Sequence, residues 1–252
     1  MRKNAYILLA ALGLASCNYL EIEPVGKVIP HKTSEYRALL TEGYSRFPYT
    51  SSKAYTGLLS DEVGMFHEGN FFDSSDAIAL SYNYTWQYET QMWEYPYQYY
   101  YRAAFQANAV IDGVADADDD SSEDKRQILG EAYAMRAYAH FDLVNLYGKP
   151  YDPQTASTDR GVPLSTYIDI EQKYRPTNVA AVYQQIVEDI EAAERTMTLE
   201  KQESPTLNYR FSLDALAAFK ARVMLYMRNW QAAYDAATGL LPKYLSLIHI
   251  SE

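Results

Sequence analysis

The chain of 252 residues carries 22 Lys and Arg against 33 Asp and Glu, a formal net charge of −11, and a surface of that sign repels phosphate backbones and excludes general nucleic-acid binding. Hydrophobic residues make up 48%, enough for a sizeable core and too many for a mostly disordered chain. The 25 Tyr bring an apolar ring and a polar tip to the same place, which suits half-wet grooves and sugar rings as well as cores.

At the start, Arg2 and Lys3 precede an apolar run from Ala5 to Ala15 that is too short to span a bilayer and has the order of a secretory signal, residues 1–16. Leu14-Ala15-Ser16-Cys17 then places small residues directly before the chain's one cysteine, so no intramolecular disulfide is available. That order resembles a bacterial lipobox, which makes Cys17 the lipid-attachment residue and the new N-terminus, with acyl chains as the anchor. An ordinary signal peptide with an incidental cysteine is the plainer alternative. Asn18 to Pro30 holds Pro24, Gly26 and Pro30 with little periodicity and is expected to be an extended tether.

Thr33 is placed to cap a short helix, Ser34 to Glu42, ended by Gly43. Residues 47–81 are loop-rich, with Gly57, Gly64 and Gly69, and long irregular segments in a domain often carry function. From Met92 a helix is expected on the spacing of Trp93, Tyr97, Tyr100, Ala104, Ala107 and Ile111, with Pro96 in its first turn and Gly113 at its end. Asp116 to Asp124 is an acidic linker. It opens like a calcium loop, but Ser121 stands at position six and Gln127 at position twelve, so carboxylates favouring the next helix's N-terminus are the better account.

Gly130 to Gly148 is the stretch around which the chain is organised. Ile128, Ala132, Met135, Ala139, Leu143 and Leu146 line one face, and a second row of Glu131, Arg136, His140 and Tyr147 leaves little surface for water. A central helix packed on several sides is predicted, stopped by Gly148 through positive φ and by Pro150 through a missing donor. After a loop from Tyr151 to Tyr174, Val179, Val182, Ile186, Ile190, Ala193 and Met197 define an amphipathic helix whose outer face is Gln185, Glu188, Glu191 and Glu194. A last pair, Ser212 to Met227 and Trp230 to Leu240, has small Ala221, Ala233 and Ala237 spaced like a tetratricopeptide unit. The fold class expected is mainly α, built of antiparallel helix pairs.

Four segments together resemble the SusD/RagB family of nutrient-binding outer-membrane lipoproteins: the lipobox with Cys17-Asn18-Tyr19-Leu20; Tyr101-Arg102 through Ala107-Asn108-Ala109-Val110-Ile111; Gly130-Glu131-Ala132-Tyr133-Ala134-Met135-Arg136-Ala137-Tyr138 running on to Leu146-Tyr147-Gly148, with Gly161-Val162-Pro163-Leu164 after it; and Ala221 to Met227 with Trp230. The resemblance implies a SusD-like fold of tetratricopeptide-like helix pairs under long ligand-facing loops. It also implies a lipid-anchored lid at the cell outer membrane, partnered by a SusC-like TonB-dependent transporter, that binds a glycan or oligosaccharide without cleaving it. The central helix departs from relatives at Ala134-Met135 and Ala139-His140, where bulkier aromatics are common. The family's chains are longer. Residues 17–244 are therefore expected to be the N-terminal part of such a domain, and residues 245–252 resemble a translated sequencing adapter, with a genuine apolar strand as the alternative.

The densest aromatic stretch, Tyr82-Asn83-Tyr84-Thr85-Trp86-Gln87-Tyr88, puts four rings on one face of an extended segment. Sugar binding needs ring faces for C–H surfaces and amides for hydroxyls, so Tyr82, Asn83, Tyr84, Trp86 and Tyr88 are candidate ligand residues, unless the rings pad the following helix. Asp61, Glu62 and Asn70, with His67, are the other loop candidates. No G-x-S-x-G, H-E-x-x-H or glycine-rich phosphate loop occurs, and His31, His67, His140 and His249 lack metal-ligand spacing. No enzyme, cofactor or metal is expected. A lipid-anchored glycoside hydrolase and a tetratricopeptide-like envelope scaffold for protein partners stand as alternatives.

Overall fold

The predicted inner row is fully buried at Ile128, Ala132, Met135, Ala139 and Leu143 and only partly at Leu146 in the computed structural model, which describes residues 30–47, 96–119, 121, 123–169, 171 and 173–244. The helices and strands named below are taken from these described residues. They are α1 Thr33–Ser45, α2 Pro96–Gly113, α3 Lys125–Tyr147, β1 Arg160–Pro163, β2 Pro176–Asn178, α4 Val179–Thr196, α5 Leu213–Tyr226, α6 Trp230–Thr238 and the single turn α7 Leu241–Tyr244. Apart from Pro30 they lie in one unit that begins at His31.

Helix α3 starts where Asp124 accepts a hydrogen bond from the Arg126 amide at 2.8 Å, a capping contact that satisfies one of the free donors of the first turn. It packs against α1, α2, α4 and α5, which is why its second row is also buried at Glu131, Arg136 and His140. The surrounding helices present the faces that periodicity assigns them. On α2 these are Tyr100, Ala103, Ala104, Ala107 and Val110; on α4, Val179, Val182, Ile186, Ile190 and Ala193. Truncating one of the buried Ile side chains to Ala costs about 2–5 kcal/mol. Pro96 opens α2, where its lacking N–H is no loss, and Asn178 caps α4 through the Ala181 amide at 2.8 Å.

Close approach decides two glycines. A Cβ on Gly130 would sit 2.8 Å from the Met197 backbone nitrogen, so the absence of a side chain lets α3 touch the end of α4. Gly148 ends α3 but in extended backbone, φ −101° and ψ −176°, not with the positive φ expected of it. Its requirement is steric, because a Cβ would stand 2.7 Å from the Val144 carbonyl oxygen.

Three other expectations change. Helix α1 begins at Thr33 rather than being capped by it. The Glu35 carboxylate accepts from the His31 and Lys32 amides at 2.8 and 3.1 Å, while the Thr33 hydroxyl donates to the Asp118 carbonyl of the acidic linker. The helix also runs past Gly43 to Ser45, with Gly43 buried where a Cβ would press on the Met135 sulfur at 2.7 Å. Finally, the loop from Tyr151 to Tyr174 contains β1, paired antiparallel and irregularly with β2. Four- and three-residue strands carrying Pro163 and Pro176 show no alternation to read. The last pair forms as α5 and α6, capped by Ser212 and Asn229, across a turn in which Arg228 takes φ 60°. Ala233 is buried, whereas Trp230 is 62% exposed. No helix among the described residues is long and apolar enough to cross a membrane.

Candidate functional site

Helix α2 has two working faces. One is the buried row at Tyr100, Ala104 and Ala107; the other carries Tyr97, Tyr101 and Phe105, four residues apart and so aligned along the axis. With Gln98 and Arg102 beside them they form the floor of a cavity of about 440 Å³, whose opposite wall is Pro163, Ser165 and Tyr174. That volume falls in the range of small-molecule sites, roughly 300–1,000 Å³. Tyr97 is 38% exposed, Tyr174 43% and Phe105 45%, large apolar surfaces left open to solvent on one patch.

The rings hold one another. Tyr97 and Tyr101 lie 4.8 Å apart by ring centre, Tyr97 meets Tyr147 edge-on at 5.1 Å, and Tyr101 faces Tyr174 at 6.5 Å. The Tyr101 hydroxyl donates to the Pro163 carbonyl at 2.7 Å, fastening floor to wall. Burial, then the neighbouring Tyr97 hydroxyl, raises the Tyr101 phenol well above its ordinary value, so it remains a neutral donor.

Beyond Pro163, the last residue of β1, the wall has no helix or strand, and buried side chains replace the missing ladder. Ser165 donates its amide to His140 Nε2 at 3.1 Å, and its carbonyl accepts from Asn108 Nδ2 at 3.1 Å. The Thr166 carbonyl accepts from Arg136 at 2.9 Å and the Tyr167 carbonyl from Asn108 at 3.4 Å. Arg136 is itself held by Asn108 Oδ1 at 2.8 Å and by both oxygens of Asp189, at 2.9 and 2.6 Å. Burial pushes the Asp189 carboxyl up, and the Arg136 guanidinium pulls it back only in part. Burial, followed by the Arg136 charge, lowers His140 to about 3, which keeps the imidazole neutral and Nε2 an acceptor. Buried polar groups partnered in this way favour one conformation, although His140 Nδ1 has no hydrogen-bond partner among the described residues.

A second cavity, about 350 Å³, lies beside Arg37, Glu123, Gln127, Glu131 and Arg210. Its charges are spent on each other: Arg37 grips Glu131 at 2.8 and 3.0 Å and Glu123 at 2.9 Å, Arg210 reaches Glu123 at 3.1 Å, and Tyr44 donates to Glu131 at 3.1 Å. Burial alone would lower Arg37, but bonding to Glu131 and then Glu123 holds it raised. This cluster ties α1 to α3. Among the described residues no group of His, Cys, Asp and Glu could hold a metal ion.

Cys17, Asp61, Glu62, Asn70, Tyr82, Asn83, Tyr84, Trp86 and Tyr88 lie outside the described residues, as do His67 and Trp93. The groove on α2 escaped the sequence reading, which placed Tyr97 in the core row. Its signal was present as Tyr97, Tyr101 and Phe105 at four-residue intervals, a second aromatic row beside the first.

Residues 18–225 match the model of a SusD-like family described as "Starch-binding associating with outer membrane". SusD-like protein P38 of Formosa agariphila is 29% identical over 248 residues, 94% of this chain and 44% of that protein. Among solved structures, a SusD superfamily protein of Bacteroides thetaiotaomicron superposes with a TM-score of 0.62 at 24% identity, covering 83% of this chain and 46% of its own. A SusD-like carbohydrate binding protein of Bacteroides vulgatus gives 0.64 at 17% identity, covering 84% and 45%. The chain thus spans less than half the length of these relatives, and the structural likenesses carry the fold. Helix order, packing and the match across most of its length lead to one conclusion: the chain belongs to the SusD-like family.

Proposed function

We propose that the protein is a cell-surface lipoprotein that binds a glycan or oligosaccharide and passes it, uncleaved, to a SusC-like TonB-dependent transporter in the outer membrane. The observation that carries this reading is the match of residues 18–225 to a family described as starch-binding and associated with the outer membrane. The tyrosine groove supplies a place for it: exposed ring faces take the C–H faces of a sugar, while Gln98 and Ser165 at the same cavity meet its hydroxyls. Cys17 carries the acyl anchor, and Asp61, Glu62, Asn70, Tyr82, Asn83, Tyr84, Trp86 and Tyr88 are further ligand residues.

Calorimetric titration of the purified protein with an oligosaccharide panel tests this. A binding sugar should be recovered intact, and Tyr97→Ala should weaken it about tenfold or more, the worth of one covered ring face. Product appearing in the mixture would sink the non-catalytic reading. Unchanged affinity in Tyr97→Ala would remove the groove from the site. The anchor is tested by Cys17→Ser, which should release the protein from the membrane fraction into the soluble one.

A further inference from the structure

We propose that the groove on α2 selects an anionic glycan, with Arg102 holding a carboxylate or sulfate carried by the sugar; this rests on the glycan-binding reading of that groove. Arg102 follows Gln98 by one helical turn and precedes Phe105 by three residues, so its stem runs beside the aromatic row. It is the one charged residue among the described residues lining the cavity, and no carboxylate shares that lining.

The contrast with the rest of the molecule gives this weight. The protein has an excess of 11 negative charges, and the cavity beside Arg37 is lined by Glu123, Asp124, Glu131 and Glu203 alongside two arginines. Several cations elsewhere are engaged in ion pairs: Arg37 with Glu131, Arg136 with Asp189, Lys220 with Glu194 and Lys243 with Asp214. Arg102 is exposed, and among the described residues no carboxylate lies within ion-pair reach of it. Lys173 and Arg175, on either side of Tyr174 in the chain, are exposed as well. An open guanidinium next to clustered phenol rings matches a sugar with an anionic substituent, because its planar fork binds carboxylate or sulfate oxygens in pairs while the rings cover the pyranose face.

Titration calorimetry with three probes of equal length tests the assignment: an oligogalacturonate, a sulfated neutral-backbone oligosaccharide and a neutral maltooligosaccharide. The expected result is tighter binding of at least one anionic probe, weakened about tenfold by Arg102→Ala, the worth of a charge-assisted hydrogen bond. The neutral probe should change less than about twofold. The anionic probe that loses more identifies the substituent, and raising salt to about 0.5 M should weaken that arm alone. Neutral binding as tight as anionic binding, or an Arg102→Ala protein with undiminished anionic affinity, overturns the proposal while leaving the groove in place. If no probe binds, or Tyr97→Ala leaves every affinity unchanged, the glycan reading of the groove fails and this one with it.

Discussion

Two buried charge clusters hang from α3, and they differ in what their hydrogen bonds reach. At Glu131 the helix contributes the carboxylate. Arg37 comes in from α1, Tyr44 and Gln127 donate from the sides, and the cluster continues through Glu123 to Arg210 at a partly open cavity. At Arg136 the helix contributes the cation, and after pairing with Asp189 the guanidinium still has a donor for the Thr166 carbonyl. The first cluster joins α1 to α3 and, through Arg210, Tyr44 and Gln127, holds the segment that leads into α5; the second joins α2, α3 and α4 and shapes the segment that walls the groove. A buried ion pair is weak support for stability as such, since desolvation offsets much of the attraction. What the Arg136 cluster adds is a defined wall for the tyrosine groove.

The sharpest way to break that comparison is to remove the cation from each cluster. Arg136→Ala leaves Asp189 buried with only Gln185 as a side-chain donor, and should cost about 3–5 kcal/mol in urea unfolding. Arg37→Ala leaves Glu131 with both Tyr44 and Gln127, so its loss should be smaller by about 1 kcal/mol. Equal losses would mean that the two clusters are not distinguished by their remaining donors.

Protonation separates them next. His140 stays neutral in the folded protein down to about 3, whereas in the unfolded chain it takes up a proton near 6.5. Unfolding therefore binds a proton between those values, and stability falls as the pH drops from 6.5 toward 3, by up to roughly 1.4 kcal/mol per pH unit from this group. His140→Gln keeps an acceptor for Ser165 and removes the titration. Its urea midpoint should fall less steeply than the parent's between pH 6.5 and 4, and superimposable pH profiles would contradict the account. The smallest effect belongs to the open end of the other cluster. Glu123 is about one-third exposed, and Glu123→Gln should shift stability by less than about 1 kcal/mol, a shift that added salt reduces.

Periodicity made the helical layer legible because each inner row is a local property. Ile128 to Leu143 and Val182 to Ala193 announce their buried faces through spacing alone, whereas helix starts are less legible, since Thr33 has the look of a cap and lies inside α1. Asp189 was not legible. It sits among Glu188, Glu191 and Glu194 on a helix whose outer face is acidic, and only Arg136, 53 positions away in the chain, makes it a buried partner. The groove was half legible: its rings stand at helical intervals, but their exposure depends on Pro163 and Tyr174 arriving from another segment. Strands β1 and β2 were too short to carry a period. Gly148 shows a further limit, since a glycine needed for closeness to a carbonyl looks the same in sequence as one needed for a left-handed turn.

The Ser165 amide ends on the ring nitrogen of a fully buried histidine, although it belongs to an irregular segment. Its proton can be replaced from solvent only when the helices around His140 come apart. In heavy water it should therefore count among the slowest-exchanging positions of the chain, keeping time with the interior of α3 rather than with its own loop.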